Sequence, residues 1–207
     1  MSAESKDIID HLAGIEPGSS LDAIRARRLQ ARENAQKSYL SLFAPADFGD
    51  VAAYERYAVA AFVAGLHDEP TVAAFYLAKL EDRPELIEAL KAEIERGKTR
   101  GPYGAFPAGP LSVEDTTGLI YRVAADRKPA LGVKLAAALE HAHLLVFRPR
   151  DAAPEAMQAL LDAGWSTNAI VTLSQLVAFL SFQVRSVVGL RTLGASLGQR
   201  AAKARAS

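Results

Sequence analysis

The sequence predicts an all-α fold, and three observations carry that expectation. Apolar residues recur three and four positions apart in one segment after another. Capping residues and first-turn prolines precede these segments, and glycines tend to follow them. No stretch of the 207 residues shows sustained two-residue alternation between hairpin turns.

The elements follow in order. Ile8, Ile9, Leu12 and Ile15 form a short amphipathic turn, closed by the turn signal Pro17-Gly18. Ser20 caps a predicted helix over residues 21–42, with Leu21, Ile24, Ala31, Ala35, Tyr39 and Leu42 at helical spacing. Arg25, Arg27, Arg28 and Arg32 crowd this helix, which suits a solvated face or an intersubunit salt-bridge face better than a phosphate site. Residues 45–49 read as a loop, and Asp50 caps a second helix reaching about Leu66. Along it Ala58, Ala60, Ala61 and Ala64 allow a neighbouring helix to approach closely. Asp68 is the expected N-cap of a helix over residues 71–80, with Pro70 tolerated beside it. Asp82 and Pro84 open another helix, which ends near Gly97.

Residues 98–111 concentrate glycine and proline and form the longest irregular stretch, the expected seam or lid. Ser112 and Asp115 make a capping pattern for a helix to about Ala125. Further helices are expected over residues 129–146 and 154–163, and Gly164-Trp165 then breaks the chain. Ser166 caps a last long helix to about Leu193, and residues 194–207 read as a small, basic, frayed tail. The expected organisation is an N-terminal extension (1–45), a helical core (46–97), a connector (98–111), a C-terminal helical half (112–193) and the tail.

Composition narrows the chemistry. There is no cysteine, so thiolate nucleophiles, disulfides and cysteine-ligated zinc are all excluded. Acidic and basic residues balance at 24 each, so no net field recruits nucleic acid or an anionic membrane. Residues 1–10 carry Glu4, Lys6, Asp7 and Asp10 where a secretory signal needs an apolar run. The most apolar stretch, residues 169–182, spans about 14 residues against the roughly 20 of a membrane span. The expectation is a cytoplasmic protein with neither membrane nor nucleic-acid partners.

Two stretches carry a resemblance. Residues 151–166 end in Ala-Gly-Trp165-Ser166, and Ile170 and then Ala178-Phe-Leu-Ser-Phe-Gln-Val-Arg185 follow. This resembles the end of the carboxymuconolactone decarboxylase and AhpD-like alkylhydroperoxidase superfamily, where a glycine turn precedes a helix ending "aFfNFxNR". Phe179, Phe182 and Arg185 match that ending, while Ser181 and Val184 stand where asparagine is usual. Residues 10–28 are similar to the subgroup called CMD domain proteins, peroxidase-related chains of about 200 residues. The resemblance implies an AhpD-like helical fold with two helical halves and an N-terminal helical extension. It also implies a homo-oligomer (dimer, trimer or hexamer).

In that family a glutamate is followed twelve residues later by Cys-x-x-Cys, with a histidine four further on. Here Glu55 sits in a matching Tyr-Glu-Arg context, the Cys-x-x-Cys slot reads His67-Asp68-Glu69-Pro70, and the histidine slot is Ala74. Only the glutamate remains, so peroxidase and disulfide-reductase chemistry does not carry over.

The decarboxylase branch works on a lactone acid without redox thiols. By that resemblance, His67 is the candidate base and Glu55 its catalytic partner, in a lyase or isomerase needing no cofactor. Tyr54, Arg122 and Arg185 are then the candidates for binding a small organic acid. Imidazole beside carboxylate is the usual acid–base unit at neutral pH. Read bottom-up, His67 is equally a helix C-terminal residue favoured by the helix dipole, and Arg185 equally an ion-pair partner for a carboxylate such as Glu55. Glu140, His141 and His143 share one segment, but on a helix the two histidines point about 200° apart, which disfavours a shared metal. No metal is expected. The second functional reading is a non-catalytic homologue that pairs with an active peroxidase-related protein. If His67→Ala and Glu55→Gln leave ligand binding and turnover unchanged, catalysis by these two residues is excluded.

Overall fold

The computed structural model describes residues 7–206, with side chains through Gln199. Among these residues there are nine α-helices and no strand, so the chain is all-α as the sequence predicts. The charged residues Glu4 and Lys6 lie outside the described residues. The chain divides into two compact units: Met1–Ala44 with Phe182–Ser207, and Pro45–Ser181. Residues 98–111 lie inside the second unit.

The first unit holds α1 (Ile8–Ala13), α2 (Ser20–Ala26) and α3 (Leu29–Phe43). The single helix expected over residues 21–42 is two, because the chain turns at Arg28 (φ −122°, ψ 51°). The turn brings arginines of two successive helices onto one buried carboxylate. Arg25 Nε donates to Asp10 Oδ1 at 2.8 Å, and Arg32 pairs with Asp10 Oδ2. Arg25 also meets Asp7 at 2.8 Å and Arg32 meets Asp22 at 3.0 Å. The ion pairs of Arg25 and Arg32 thus lie within the chain. Buried Ile8, Ile9 and Leu12 pack beneath it.

The second unit is built around α4 (Ala53–Leu66), which packs against α5 (Pro70–Leu77), α6 (Pro84–Gly97) and α7 (Lys128–Phe147). From Ala58 to Leu66 every α4 side chain is buried. A helix apolar all round belongs in a core. Its polar residues sit at its ends. Ala52, not Asp50, is the N-cap, and the Glu55 carboxylate reaches back to accept from Ala52 N–H at 2.8 Å. Asp50 accepts a hydrogen bond from Ser166. Arg56 spends its buried guanidinium on the carbonyls of Val51 (2.9 Å) and Phe48 (2.7 Å), which pins the entry loop.

Two further expectations are corrected here. Asp68 does not cap α5: it takes a positive φ of 55°, and Glu69 stands at the cap position. No helix forms over residues 112–125. Ser112 accepts from Gly109 N–H at 3.1 Å and closes a 3-10 turn, Pro110–Glu114. Asp115 accepts from Phe106 N–H at 2.7 Å, and Thr116 bridges to Gly104. The capping groups are thus consumed by the glycine-rich stretch, and the irregular backbone extends to Arg127. Tyr121 and Val123, two residues apart, hold it to the core.

Gly132, at φ 75°, interrupts the start of α7, so the regular helix begins beyond it. α8 (Pro154–Asp162) follows, and Trp165 anchors the next turn: its indole N–H donates to Lys134 O at 2.8 Å. Ser166 caps α9 (Thr167–Ala206) by accepting from Ala169 N–H. α9 runs through the stretch expected to fray. α7 and residues Thr167–Gln199 of α9 are long and apolar enough to cross a membrane, and half or slightly more of each such window is buried within the fold.

The alanine-rich surface of α4 lets its neighbours approach closely. A Cβ on Gly65 would lie 2.5 Å from Ile94 Cγ2 of α6. Gly65→Ala is expected to destabilise the protein by about 1–3 kcal/mol despite its better helix propensity. Ile94→Ala removes the clashing atoms, so chemical denaturation of the double variant should show less loss than the two single losses added together.

Candidate functional site

The residues singled out from sequence do not converge. Glu55 and His67 stand at opposite ends of α4, and twelve residues of helix separate them by about 18 Å. The expectation of one acid–base pair in one pocket is corrected by this geometry. Glu55 is committed to its cap and to Lys134 Nζ at 3.4 Å. His67 is the C-cap of α4, and its Nε2 lies 3.2 Å from Ser181 Oγ. Tyr54 is half-buried with the Arg83 guanidinium 4.3 Å from its ring centre. Burial, then the charge of Glu55, raises the Tyr54 phenol above its ordinary pKa. Arg185 is exposed on the part of α9 that belongs to the first unit.

Arg122 does reach a site. It lines a surface cavity of about 380 Å³ together with Glu140 and His141 of α7, Arg148 and Asp151 of the turn after α7, and Glu155 of α8. Leu144, Leu160 and four alanines complete the walls. The volume falls in the ordinary range for small-molecule sites, ~300–1,000 Å³. Two ion pairs cross the lining, Arg122–Glu140 and Arg148–Asp151, each at 3.3 Å. Glu140 also accepts from Val123 N–H at 3.1 Å, which ties the irregular segment to α7.

His141 is 4 % exposed, and burial lowers its pKa below the ordinary value, so it is neutral at pH 7. The network assigns its tautomer. Ser174 O–H donates to Ile170 O at 2.9 Å, so Ser174 Oγ accepts from His141 Nε2–H at 3.1 Å. Nδ1 then carries a lone pair, and it has no hydrogen-bond partner. Arg148 Nε–H, also buried, has none either. A buried polar atom without a partner costs free energy unless something supplies one.

A second polar array lies deeper. Glu93, fully buried on α6, accepts from Tyr121 O–H at 2.6 Å and from Ala124 N–H at 3.2 Å. The Arg96 guanidinium lies 3.4 Å from it. His143 stacks on the Tyr121 ring with centroids 4.8 Å apart, and its Nε2–H donates to Gly97 O at 3.0 Å. Burial, then the Glu93 hydrogen bond, pushes the Tyr121 phenol well above its ordinary pKa. This array holds residues 121–124 against α6.

His141 and His143 therefore face different surroundings, as their spacing on a helix requires. Among the described residues, no group of three or more histidine, aspartate or glutamate side chains is placed to hold a metal ion. Sequence reasoning passed over Arg148, Asp151 and Ser174. The one available signal was spacing: Arg148 follows His141 by seven residues, two helical turns along one face.

Burial pushes the His143 pKa down to about 4, from 6.5. The unfolded chain takes up this proton near pH 6.5 and the folded chain only near 4, so between these values the unfolded state binds more protons. Stability is complete above pH 6.5 and falls as the pH drops toward 4, by roughly 3 kcal/mol from this residue. His143→Gln should flatten this acid limb in urea midpoints measured from pH 4 to 7. An unchanged limb would assign the acid sensitivity elsewhere.

Comparison with protein-family models, curated proteins and solved structures gives no match to this chain.

Proposed function

We propose that this protein binds a small organic molecule, without a redox thiol, in the cavity between α7, α8 and the irregular segment. The observation that carries this reading is the cavity itself, about 380 Å³, whose wall sets Arg122, Glu140 and His141 beside Leu144 and Leu160. A concave, partly apolar site with a few convergent polar groups and a perturbed histidine is the usual form of a small-molecule site. Arg122, expected from sequence to bind a small organic acid, supports the same location.

The proposal extends to the family and the setting. Glu55 in its Tyr-Glu-Arg context and the Phe179–Arg185 ending support kinship with the AhpD-like superfamily, as a cytoplasmic homo-oligomer. A second reading, a non-catalytic partner of a peroxidase-related protein, is favoured by exposed Leu111, Val113 and Ile120 in the irregular segment. Exposed apolar residues so grouped suit an interface between proteins.

The test is a ligand-observed NMR screen with small organic acids and their neutral analogues. Ala156 lines the cavity and is only half-buried, so Ala156→Trp fills the space without touching the polar groups. Binding of the compounds found is expected to disappear in this variant. Compounds that bind the variant unchanged would move the site elsewhere.

A further inference from the structure

Another cavity, of about 340 Å³, lies between α5 and α6 at the end of α4. The helical repeat builds its two walls. Pro70, Ala73, Ala74 and Leu77 follow the i, i+3, i+4, i+7 spacing on α5. Lys91, Ile94, Glu95 and Lys98 follow the same spacing along α6 and its C-cap. The α5 wall is wholly apolar. Ala73 and Ala74 are too short to fill the gap between the helices, and Ile94 lies against Gly65 of α4, which has no side chain to close it. This groove shares no lining residue with the cavity beneath α8.

The rim is charged, and among the described residues its balance is negative. Asp68, Glu69 and Glu95 bring carboxylates, and Lys91 and Lys98 bring ammonium groups. Lys91 is engaged by Glu88 at 2.8 Å, outside the groove. Lys98 lies 2.8 Å from Glu95 and 3.6 Å from Asp68, so one cation serves two carboxylates. The Asp68 and Glu95 side chains are 87 % and 69 % exposed, which leaves their oxygens open to whatever enters the mouth. The left-handed backbone at Asp68 (φ 55°) turns the chain from α4 into α5 and sets this carboxylate beside Lys98. The acidic groups therefore gather where α5 begins and α6 ends.

An uncharged ligand would use the apolar walls alone, and an anion would be repelled by the rim. A cation with an apolar body uses both features. Its body displaces water from Ala74, Leu77 and Ile94, and its charge lies among the carboxylates. We infer that this groove binds a primary-amine cation with an apolar body, an arylalkylamine in kind, its ammonium group held between Asp68 and Glu95. Contacts between exposed charges are individually weak, so the expected preference over an uncharged isostere is about fivefold, and salt screens it.

The experiment measures binding of 2-phenylethylamine, 2-phenylethanol and 3-phenylpropanoate by ligand-observed NMR at pH 7 and low salt. The amine is expected to bind about fivefold more tightly than the alcohol, and the carboxylate most weakly. Ala74 is exposed in the α5 wall, so Ala74→Trp fills the groove from outside the core and should abolish binding of the amine. Asp68→Asn with Glu95→Gln removes two negative charges, and asparagine tolerates the positive φ. This double variant should bind amine and alcohol equally, with the affinity for the alcohol unchanged. Ala156→Trp, which fills the cavity beneath α8, should leave the amine bound, so the two sites stand or fall separately. Equal binding of amine and alcohol by the unaltered protein, tighter binding of the carboxylate, or no binding at all overturns the inference. So does a preference that survives the double variant, binding that survives Ala74→Trp, or binding lost in Ala156→Trp.

Discussion

The burial of α4 constrains the whole second unit. A helix enclosed on all sides has no water to solvate polar groups along its length. It can carry them only where backbone ends need partners. Glu55 satisfies the first turn and His67 closes the last, and between them runs a wall of alanine, valine, phenylalanine and glycine. Close approach of α6 follows, since Gly65 leaves room for Ile94. So does the separation of the two residues most suggestive of catalysis. The physical demand that makes α4 a good core element keeps it from being a reaction centre at both ends at once.

With α4 committed to the core, polar chemistry moves outward to α7. That helix is buried less evenly. One stretch of it turns His143 inward onto Tyr121 and Gly97, where the ring helps lock residues 121–124 to Glu93. The neighbouring Glu140 and His141 turn toward the cavity beneath α8. The two arrays are linked through the irregular segment. Tyr121 and Ala124 hold Glu93, Val123 holds Glu140, and Arg122 between them faces the cavity. The segment thus gains its order from the Glu93 and Glu140 carboxylates rather than from regular secondary structure, and by the same contacts it delivers an arginine to the site.

The failed expectations have specific causes. The capping pattern at Ser112 is real, but its hydroxyl and the Asp115 carboxylate serve the backbone of residues 106–109 instead of a helix. A helix and a compact loop offer such side chains the same kind of partner, and only the surrounding chain selects between them. The break at Arg28 is likewise invisible in the apolar periodicity, which continues across it. It is set by Asp10, fifteen and more positions away, which draws in both Arg25 and Arg32.

The sequence by itself determined what depends on composition and on near neighbours. It excluded thiol chemistry, because no cysteine is present. It marked most of the helices, the turn at Trp165 and the Ser166 cap, because periodicity and capping act within a few residues. It also implied that His141 and His143 diverge, because helix geometry fixes that. The tertiary structure alone decided which histidine faces a cavity, which tautomer it holds and which arginines are already paired. These follow from burial, from partners 33 residues away for His141 at Ser174 and 18 away for Arg122 at Glu140, and from the turn that folds Asp151 onto Arg148. Desolvation and ion pairing act between residues that only the folded chain brings together, so the site lies outside what local sequence can specify.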